Sequence, residues 1–546
     1  MNQKILSLLS ILLLGGSSSS FAAVTLPYLI GDGMVVQRDE PVRLWGKAEP
    51  GEEIRAFSTA GKKSVASAIA DSSGNWSLTL PKFPVGGPYQ ILINDIVIND
   101  VLSGDVFLCS GQSNMELPVY RVTDMFADEI ASYENNKIRE FKVPQVTSFH
   151  GPLENTSEAY WKSCNLENVM DFSALAYFFA KQLNSTTGVP VGIINSSWGG
   201  TPVESWTCET TMEQWPETVA KKRIYEDDGY RDRSKTLEGE NYYRWNNRLY
   251  ADDPGLNSSA PWFAPATSDD DWEEVDLIAS RWGIDNERGT KEPVNGSHWL
   301  RKHISLSAPQ SKGDAVLRMG CIEGADSAYV NGVFVGTVGY QYPPRIYRIP
   351  DGTLKEGDNI VTVRVISQSG EPKCVPEKPY TLILADGEEI SLEGNWKHHI
   401  GARMPQGPNM IFWHYTPVVL YDAMINPLFN YPVSGVVWYQ GESNVSNRYL
   451  YPDMLSAMIA DWRKGFGRDN LPFYIVELAD FLHPSDIGGR NAWSEMRAAQ
   501  ALVAEKVPSA WLIKNSDLGE WNDIHPLDKK TLGNRVAEAV LNNMKK

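Results

Sequence analysis

The stretch Asp105-Val106-Phe107-Leu108-Cys109-Ser110-Gly111-Gln112-Ser113-Asn114-Met115 sets the fold. Its first six residues form an apolar run with small ends, the pattern of a strand buried on both faces. Ser110 and Gly111 let the backbone turn sharply, and Ser113 follows on that turn. Strand-end turns of this kind present nucleophilic serines, although the motif here is not GxSxG. A serine after a strand is also an ordinary turn or cap residue. The rest of the chain has to decide between the two.

Outward from this stretch, three further apolar runs end in polar, glycine-bearing loops. Val189-Pro190-Val191-Gly192-Ile193-Ile194 leads to Asn195-Ser196-Ser197-Trp198-Gly199-Gly200-Thr201. Gly435-Val436-Val437-Trp438-Tyr439 leads to Gln440-Gly441-Glu442-Ser443-Asn444. Ala510-Trp511-Leu512-Ile513-Lys514 leads towards Asp523-Ile524-His525-Pro526, and a fifth run spans Pro472 to Leu478. Helical stripes lie between them: Leu175/Phe178/Phe179/Leu183, Leu455/Ile459/Trp462/Phe466, Met496/Ala499/Leu502/Val503 and Leu532/Val536/Val540. Alternating strands and helices predict an α/β domain, a parallel sheet flanked by helices on both faces. Functional groups then gather beyond the carboxyl ends of the strands, where all four loops lie.

Two stretches break the alternation. Residues 23–103 hold short alternating runs and turn clusters such as Asp71-Ser72-Ser73-Gly74-Asn75, and predict an N-terminal β-sandwich. Residues 241–401 turn all-β again, with an Asn331-Gly332 hairpin signal, and predict an inserted β-sandwich. The α/β domain is thereby expected in two segments, 104–240 and 402–546, with Trp206 to about Trp245 as a short helical connector.

Residues 1–22 have the form of a signal peptide: Lys4, an apolar run from Ile5 to Leu14, and small residues at Ser20 and Ala22. The run is too short to span a membrane. The mature protein is expected to be periplasmic or secreted, without membrane insertion. The formal charge of −18 becomes −19 once Lys4 leaves, which argues against nucleic acid or an anionic membrane as partner. The 5 Cys are odd in number and contain no CxxC pair, so neither a disulfide framework nor a zinc site is signalled. Cys109 is expected as a buried free thiol. The 18 Trp and 23 Tyr are many, a richness that exported proteins often use for stacking on sugars.

Read together, the loops assemble an acyl-transfer site. Ser113 Oγ is the nucleophile and His525 its base. The backbone N–H groups of Ser113 and Gly200 and the Asn444 amide form the oxyanion hole. Asp523 is placed to orient His525, with Asp517 and Glu442 as competitors. Glu442 serves equally well as a brace for its own loop. Gln112, Trp198, Gln440 and Glu442 are the candidate substrate contacts. This chemistry needs no metal and no organic cofactor.

The same residues resemble the sialate O-acetylesterases, a family of SGNH-type hydrolases. Gly111-Gln112-Ser113-Asn114-Met115, Trp198-Gly199-Gly200-Thr201, Trp438-Tyr439-Gln440-Gly441-Glu442-Ser443-Asn444 and Asp523-Ile524-His525-Pro526 look like its nucleophile, glycine, asparagine and histidine blocks, in family order. The inserted segment resembles, at the level of pattern, the jelly-roll domains of some glycosidases. The resemblance implies an SGNH-hydrolase-like sheet and a carbohydrate esterase that removes O-acetyl groups from sialic acid or sialoglycans through an acetyl-enzyme. Acetylated xylan is the rival substrate. A glycosidase and a non-catalytic glycan binder are the alternatives of other classes. One departure stands out: such hydrolases place the acid three residues before the histidine, and here that residue is Asn522. A Ser–His dyad with a backbone carbonyl orienting His525 therefore stays open. Arg139, Arg403 or another arginine would hold a sialate carboxylate.

Overall fold

The computed structural model describes residues 24–61, 64–286 and 288–544. The expected leader, 1–22, lies outside the described residues. The centre is a mixed sheet built from β1 (Ile96–Gly111), β2 (Asn135–Lys142), β3 (Trp161–Cys164), β4 (Val191–Ser197), β5 (Gly435–Tyr439), β6 (Phe473–Val476) and β7 (Ala510–Ile513). Their spatial order is β7-β6-β5-β1-β4-β2-β3. All neighbours run parallel except β2 and β3. Strand order reverses at β1, which has later strands on either side. The crevice beyond such a switch point is where open sheets bind ligands.

The five longer helices are α1 (Ala174–Thr187), α2 (Asp228–Ala251), α3 (Tyr451–Phe466), α4 (Ile487–Lys506) and α5 (Lys529–Met544), of which α2 packs against residues 395–403 and the other four lie along the sheet. The four expected apolar stripes fall on α1, α3, α4 and α5. Ser173 caps the start of α1 by accepting from the Ala176 N–H, and Gly188 ends it in the left-handed region. Side-chain parity places the helices. Phe107 of β1 meets Phe179 of α1 edge to face at 4.9 Å. Trp438 of β5 lies in register with Ser110, so it projects from the opposite face, where it meets Trp462 of α3 at 5.7 Å. Helices thus cover both faces. No described helix is long and apolar enough to cross a membrane.

The long strand β1 is shared. Its first half pairs with Gly86–Ile93 and Val35–Gln37 of the N-terminal β region, and its second half is the centre of the α/β sheet. The boundary expected at 103/104 falls inside it, and one buried cluster runs from Leu44 and Ile54 through Val106 to Ile475. The boundary expected at 240/241 likewise falls inside α2. This helix of 24 residues takes up the second half of the connector anticipated between Trp206 and Trp245 and runs past its end to Ala251. Residues 273–403 form a six-stranded and a four-stranded sheet around a separate cluster that includes Leu300, Leu317, Val363 and Leu382. Asn331 and Gly332 both take positive φ between two of these strands, as the hairpin signal predicts. All five cysteines are free, and Cys109 is buried in β1.

Trp438 is fully buried between Trp206 and Trp462. Trp438→Ala is expected to cost about 3–5 kcal/mol by leaving a large cavity. Urea unfolding followed by tryptophan fluorescence checks this: a midpoint equal to wild type would mean that the layer repacks.

Candidate active site

Gly111 ends β1 with φ +139°, and a Cβ there would lie 2.0 Å from the Tyr439 carbonyl oxygen. Only glycine allows this approach. The Gln112 N–H donates to that same carbonyl at 3.1 Å, which fixes the turn. Ser113 then opens a one-turn helix, Ser113–Glu116, so its N–H has no intrahelical acceptor. Ser113 Oγ lies 2.9 Å from His525 Nε2, across 412 residues of sequence. Asn114 draws the two loops together. Its amide donates to Ile524 O at 2.9 Å and to Glu442 Oε1 at 2.6 Å, and its oxygen accepts from Lys529 Nζ at 2.7 Å.

The glycine loop lies directly against the serine. A Cβ on Gly199 would sit 3.4 Å from Ser113 Cβ, and one on Gly200 (φ +74°) would collide with the Tyr415 hydroxyl. The Gly199 N–H donates to Glu116 Oε2 at 2.6 Å, and Gly200 O accepts from the Ser443 hydroxyl. The N–H groups of Ser113 and Gly200 have no protein acceptor among the described residues. They are free to meet an anionic oxygen.

Asn444 is corrected. Its amide already donates to Glu204 Oε2 at 2.8 Å and Asn447 Oδ1 at 3.1 Å, and its oxygen accepts from Val203 N and Gln440 Nε2. It is fully buried outside the cleft, so it braces the loop in place of donating to an oxyanion. Gln440 is corrected for the same reason: its side chain joins Thr201 O, Asn444 and the Tyr451 hydroxyl. Trp198 stacks on His414 at 4.4 Å and stands behind the cleft wall, which His414 lines. Gln112 does line the cleft, with its oxygen accepting from the N–H groups of Gly441 and Ser443. Glu442 lines it as well and also braces Asn114.

The far end of the relay is unusual. His525 is buried, and its Nδ1 has no hydrogen-bond partner among the described residues. Asp523 Oδ1 lies 4.0 Å from Nδ1, too far for a hydrogen bond. That oxygen accepts the His525 backbone N–H at 2.8 Å, while Oδ2 faces Lys378 Nζ at 3.4 Å. Asp517 is removed from contention, since Arg535 holds it in a bidentate pair and lowers its pKa to about 2. Burial, with help from the positive charges of Lys529 and Arg121, pushes the His525 pKa down to about 3. The imidazole is therefore neutral, the form that accepts a proton. His483, the other histidine in the late loops, bonds Ser485.

The β insertion completes the site, which nothing in the local sequence signals. Tyr342 meets the His525 ring edge-on at 5.1 Å. Lys378 bonds Glu520 at 2.6 Å, Glu377 accepts from the Trp521 indole, and Pro376 O accepts from Asn522. The resulting cleft has a volume of about 860 Å³, with Ser113, Gly200 and His525 at its base and Tyr340, Tyr342 and Phe412 among its walls. Neither arginine named from the sequence reaches it. Arg139 is buried against Gly33 O, Asp100 and Asn136 O, and Arg403 pairs with Asp285.

A serine hydroxyl bonded to a neutral imidazole, beside two free N–H groups at the ends of parallel strands, is an arrangement suited to acyl transfer. The class agrees with the comparisons. A family model described as carbohydrate esterase, sialic acid-specific acetylesterase, matches residues 103–233 and 404–542, the segments on either side of the insertion. The chain belongs to this carbohydrate esterase family. The sialate O-acetylesterase of Rattus norvegicus is 22% identical over 539 residues, covering 92% of this chain and 71% of its own. That of Homo sapiens is 28% identical over 231 residues, covering 38% of this chain and 43% of its own. Among solved structures, a carbohydrate acetylesterase from Xanthomonas citri shares the fold with a TM-score of 0.54 at 24% identity, covering 95% of this chain and 74% of that one.

Two outcomes follow from the geometry. A base whose pKa lies well below the ordinary 6.5 stays unprotonated in acid, so kcat/KM should hold from neutrality down to about pH 5 and fall only below it. A pH–rate profile with an acid limb centred at about 6.5 would contradict this. Asp523→Asn keeps an oxygen for the His525 N–H, so kcat should fall by less than about tenfold, where losing a hydrogen-bonded triad aspartate costs about 10⁴. A loss of that larger size in steady-state kinetics would make Asp523 a full triad member.

Proposed function

We propose that the protein removes O-acetyl groups from sialic acid or sialoglycans by serine catalysis. The observation that carries this is the 2.9 Å contact between Ser113 Oγ and His525 Nε2 beside two unused N–H donors. The family and its named relatives supply the substrate class. In this reading Ser113 Oγ attacks the acetyl carbonyl as its proton passes to His525 Nε2. The N–H groups of Ser113 and Gly200 receive the oxyanion. Collapse of the tetrahedral intermediate expels the sugar oxygen, which takes the proton back from the imidazolium. Water, deprotonated by His525, then attacks the acetyl-enzyme and releases acetate.

The cleft suits a sugar. Tyr120, Tyr340 and Phe412 line it and are each more than half exposed, so they offer apolar faces for stacking. Export to the periplasm or the medium, expected from residues 1–22, is the setting we propose.

Acetate release from O-acetylated sialic acids, measured beside acetylated xylan, tests the substrate. Ser113→Ala should lower turnover by at least about 10³-fold, and a fluorophosphonate should label the wild-type serine. Wild-type turnover in the variant, or a folded enzyme that forms no adduct, would end the serine reading, and the latter result would favour a glycan binder. Preference for xylan would replace the substrate.

A further inference from the structure

Arg121 lies eight residues past the nucleophile, in the one-turn segment Val119–Val122 that hydrogen bonds from Val119 N to Phe172 O and from Arg121 N to Pro118 O hold in place. Arg121 is among the residues that line the catalytic cleft, yet it is only 9% exposed. Among the described residues its guanidinium makes one hydrogen bond, from Nη2 to Tyr342 O at 3.4 Å, and its Nε is buried without an acceptor. Among the described residues it has no ion pair. Nearby carboxylates have other donors: Asp124 pairs with Arg318, Asp523 with Lys378, and Glu116 accepts from Gly199 and Gln145. A buried guanidinium that acts on Asp523 only at a distance, with no ion pair of its own, is costly, and an anion entering the cleft lowers that cost. The planar fork suits a carboxylate. The chain carries a formal charge of −18, so its overall field repels an anionic ligand and a local cation is needed to hold one.

We infer that Arg121 is the anchor for the carboxylate of an acidic sugar lying in the cleft. This rests on the sialate reading above and extends it: the acetyl group meets Ser113 while the carboxylate meets Arg121 along the same wall. Arg121 then separates acidic sugars from neutral acetylated ones by charge, at a distance from the reacting carbonyl.

The test reads charge discrimination directly. Hydrolysis of 4-nitrophenyl acetate is inhibited with N-acetylneuraminic acid and, separately, with its methyl ester, which differs only in lacking the charge. The wild-type enzyme should bind the acid more tightly than the ester by on the order of 10-fold or more, the size of one charge-assisted pair. Arg121→Gln should bring that ratio close to one. Arg121→Lys, which keeps the charge and loses the fork, should restore part of it. A wild-type ratio near one overturns the proposal without any variant, and so does an undiminished ratio in Arg121→Gln. If Arg121→Gln does not fold, a wild-type ratio that Arg121→Lys leaves untouched has the same force. Acetate release from O-acetylated sialic acids is a separate readout, so an enzyme can deacetylate sialate and still fail here, or discriminate by charge and fail there.

Discussion

Gly111 lies opposite Ser197 on one side and Tyr439 on the other, in unbroken parallel register. Three adjacent strands therefore end level. The loops that leave them, at Gln112, Trp198 and Gln440, start side by side although hundreds of residues separate them. The register tolerates no side chain at its centre, because a Cβ on Gly111 would meet the Tyr439 carbonyl. A one-residue slip would move Ser113 by one strand rise and turn its neighbours to the other face. The fourth loop, after the edge strand β7, has farther to travel. Asn515 ties its start to the Tyr439 hydroxyl at 2.8 Å and to Glu477 O at 3.0 Å, and Asn114 ties its end to Ile524 O.

Above that register the buried polar side chains divide into two kinds. Most have every hydrogen bond committed within the protein. Asn444, Gln440, Glu204 and Asn114 hold loops to one another, and none has a donor left for substrate. Leaving any of their groups unpaired in a site this dry would be costly, so their satisfaction is what makes the loops rigid. The second kind is left open and includes Nδ1 of His525, Nε of Arg121 and Oε2 of Glu442, to which the backbone N–H groups of Ser113 and Gly200 add. A site preorganised for a transition state needs both, a frame without slack and a few groups the frame does not satisfy.

This division explains what the sequence reveals and what it hides. Buried parallel strands have apolar runs, and amphipathic helices have stripes, so β1, β4, β5, β6, β7 and four helices were legible. Strand β2 was not. Asn135-Asn136-Lys137-Ile138-Arg139-Glu140-Phe141-Lys142 reads as polar. In the fold Arg139 is neutralised by Gly33 O and Asp100, and Glu140, its pKa raised by burial to about 7, accepts from Ser173 N at 3.1 Å. Those partners lie far along the chain, and hydropathy does not register them. The Ser113–His525 pairing was legible because both stand in polar loops that follow apolar runs, and because histidine is scarce, with 8 in the chain. Asn444 misled because a sequence shows that an amide is present and does not show which acceptors already hold it. Arg121 and Glu116 were hidden for the converse reason, since their value depends on which partners are missing or present.

The insertion makes the same point at the scale of a domain. It has its own core, and its sequence carries no catalytic pattern, yet it contributes to the burial of the base. Tyr342 covers the imidazole and helps to exclude water, and the pKa of His525 falls as a result of that burial. Lys378 competes with His525 for Asp523. Burial raises the Asp523 pKa, and a cation 3.4 Å from Oδ2 opposes that shift while offering the carboxylate a partner other than the imidazole. With Lys378 on Oδ2 and the His525 backbone N–H on Oδ1, Asp523 stands 4.0 Å from Nδ1. Whether the relay behaves as a dyad or a triad is thus not a property of the histidine block alone. It depends on how closely a domain inserted more than a hundred residues upstream is held against the last loop of the sheet.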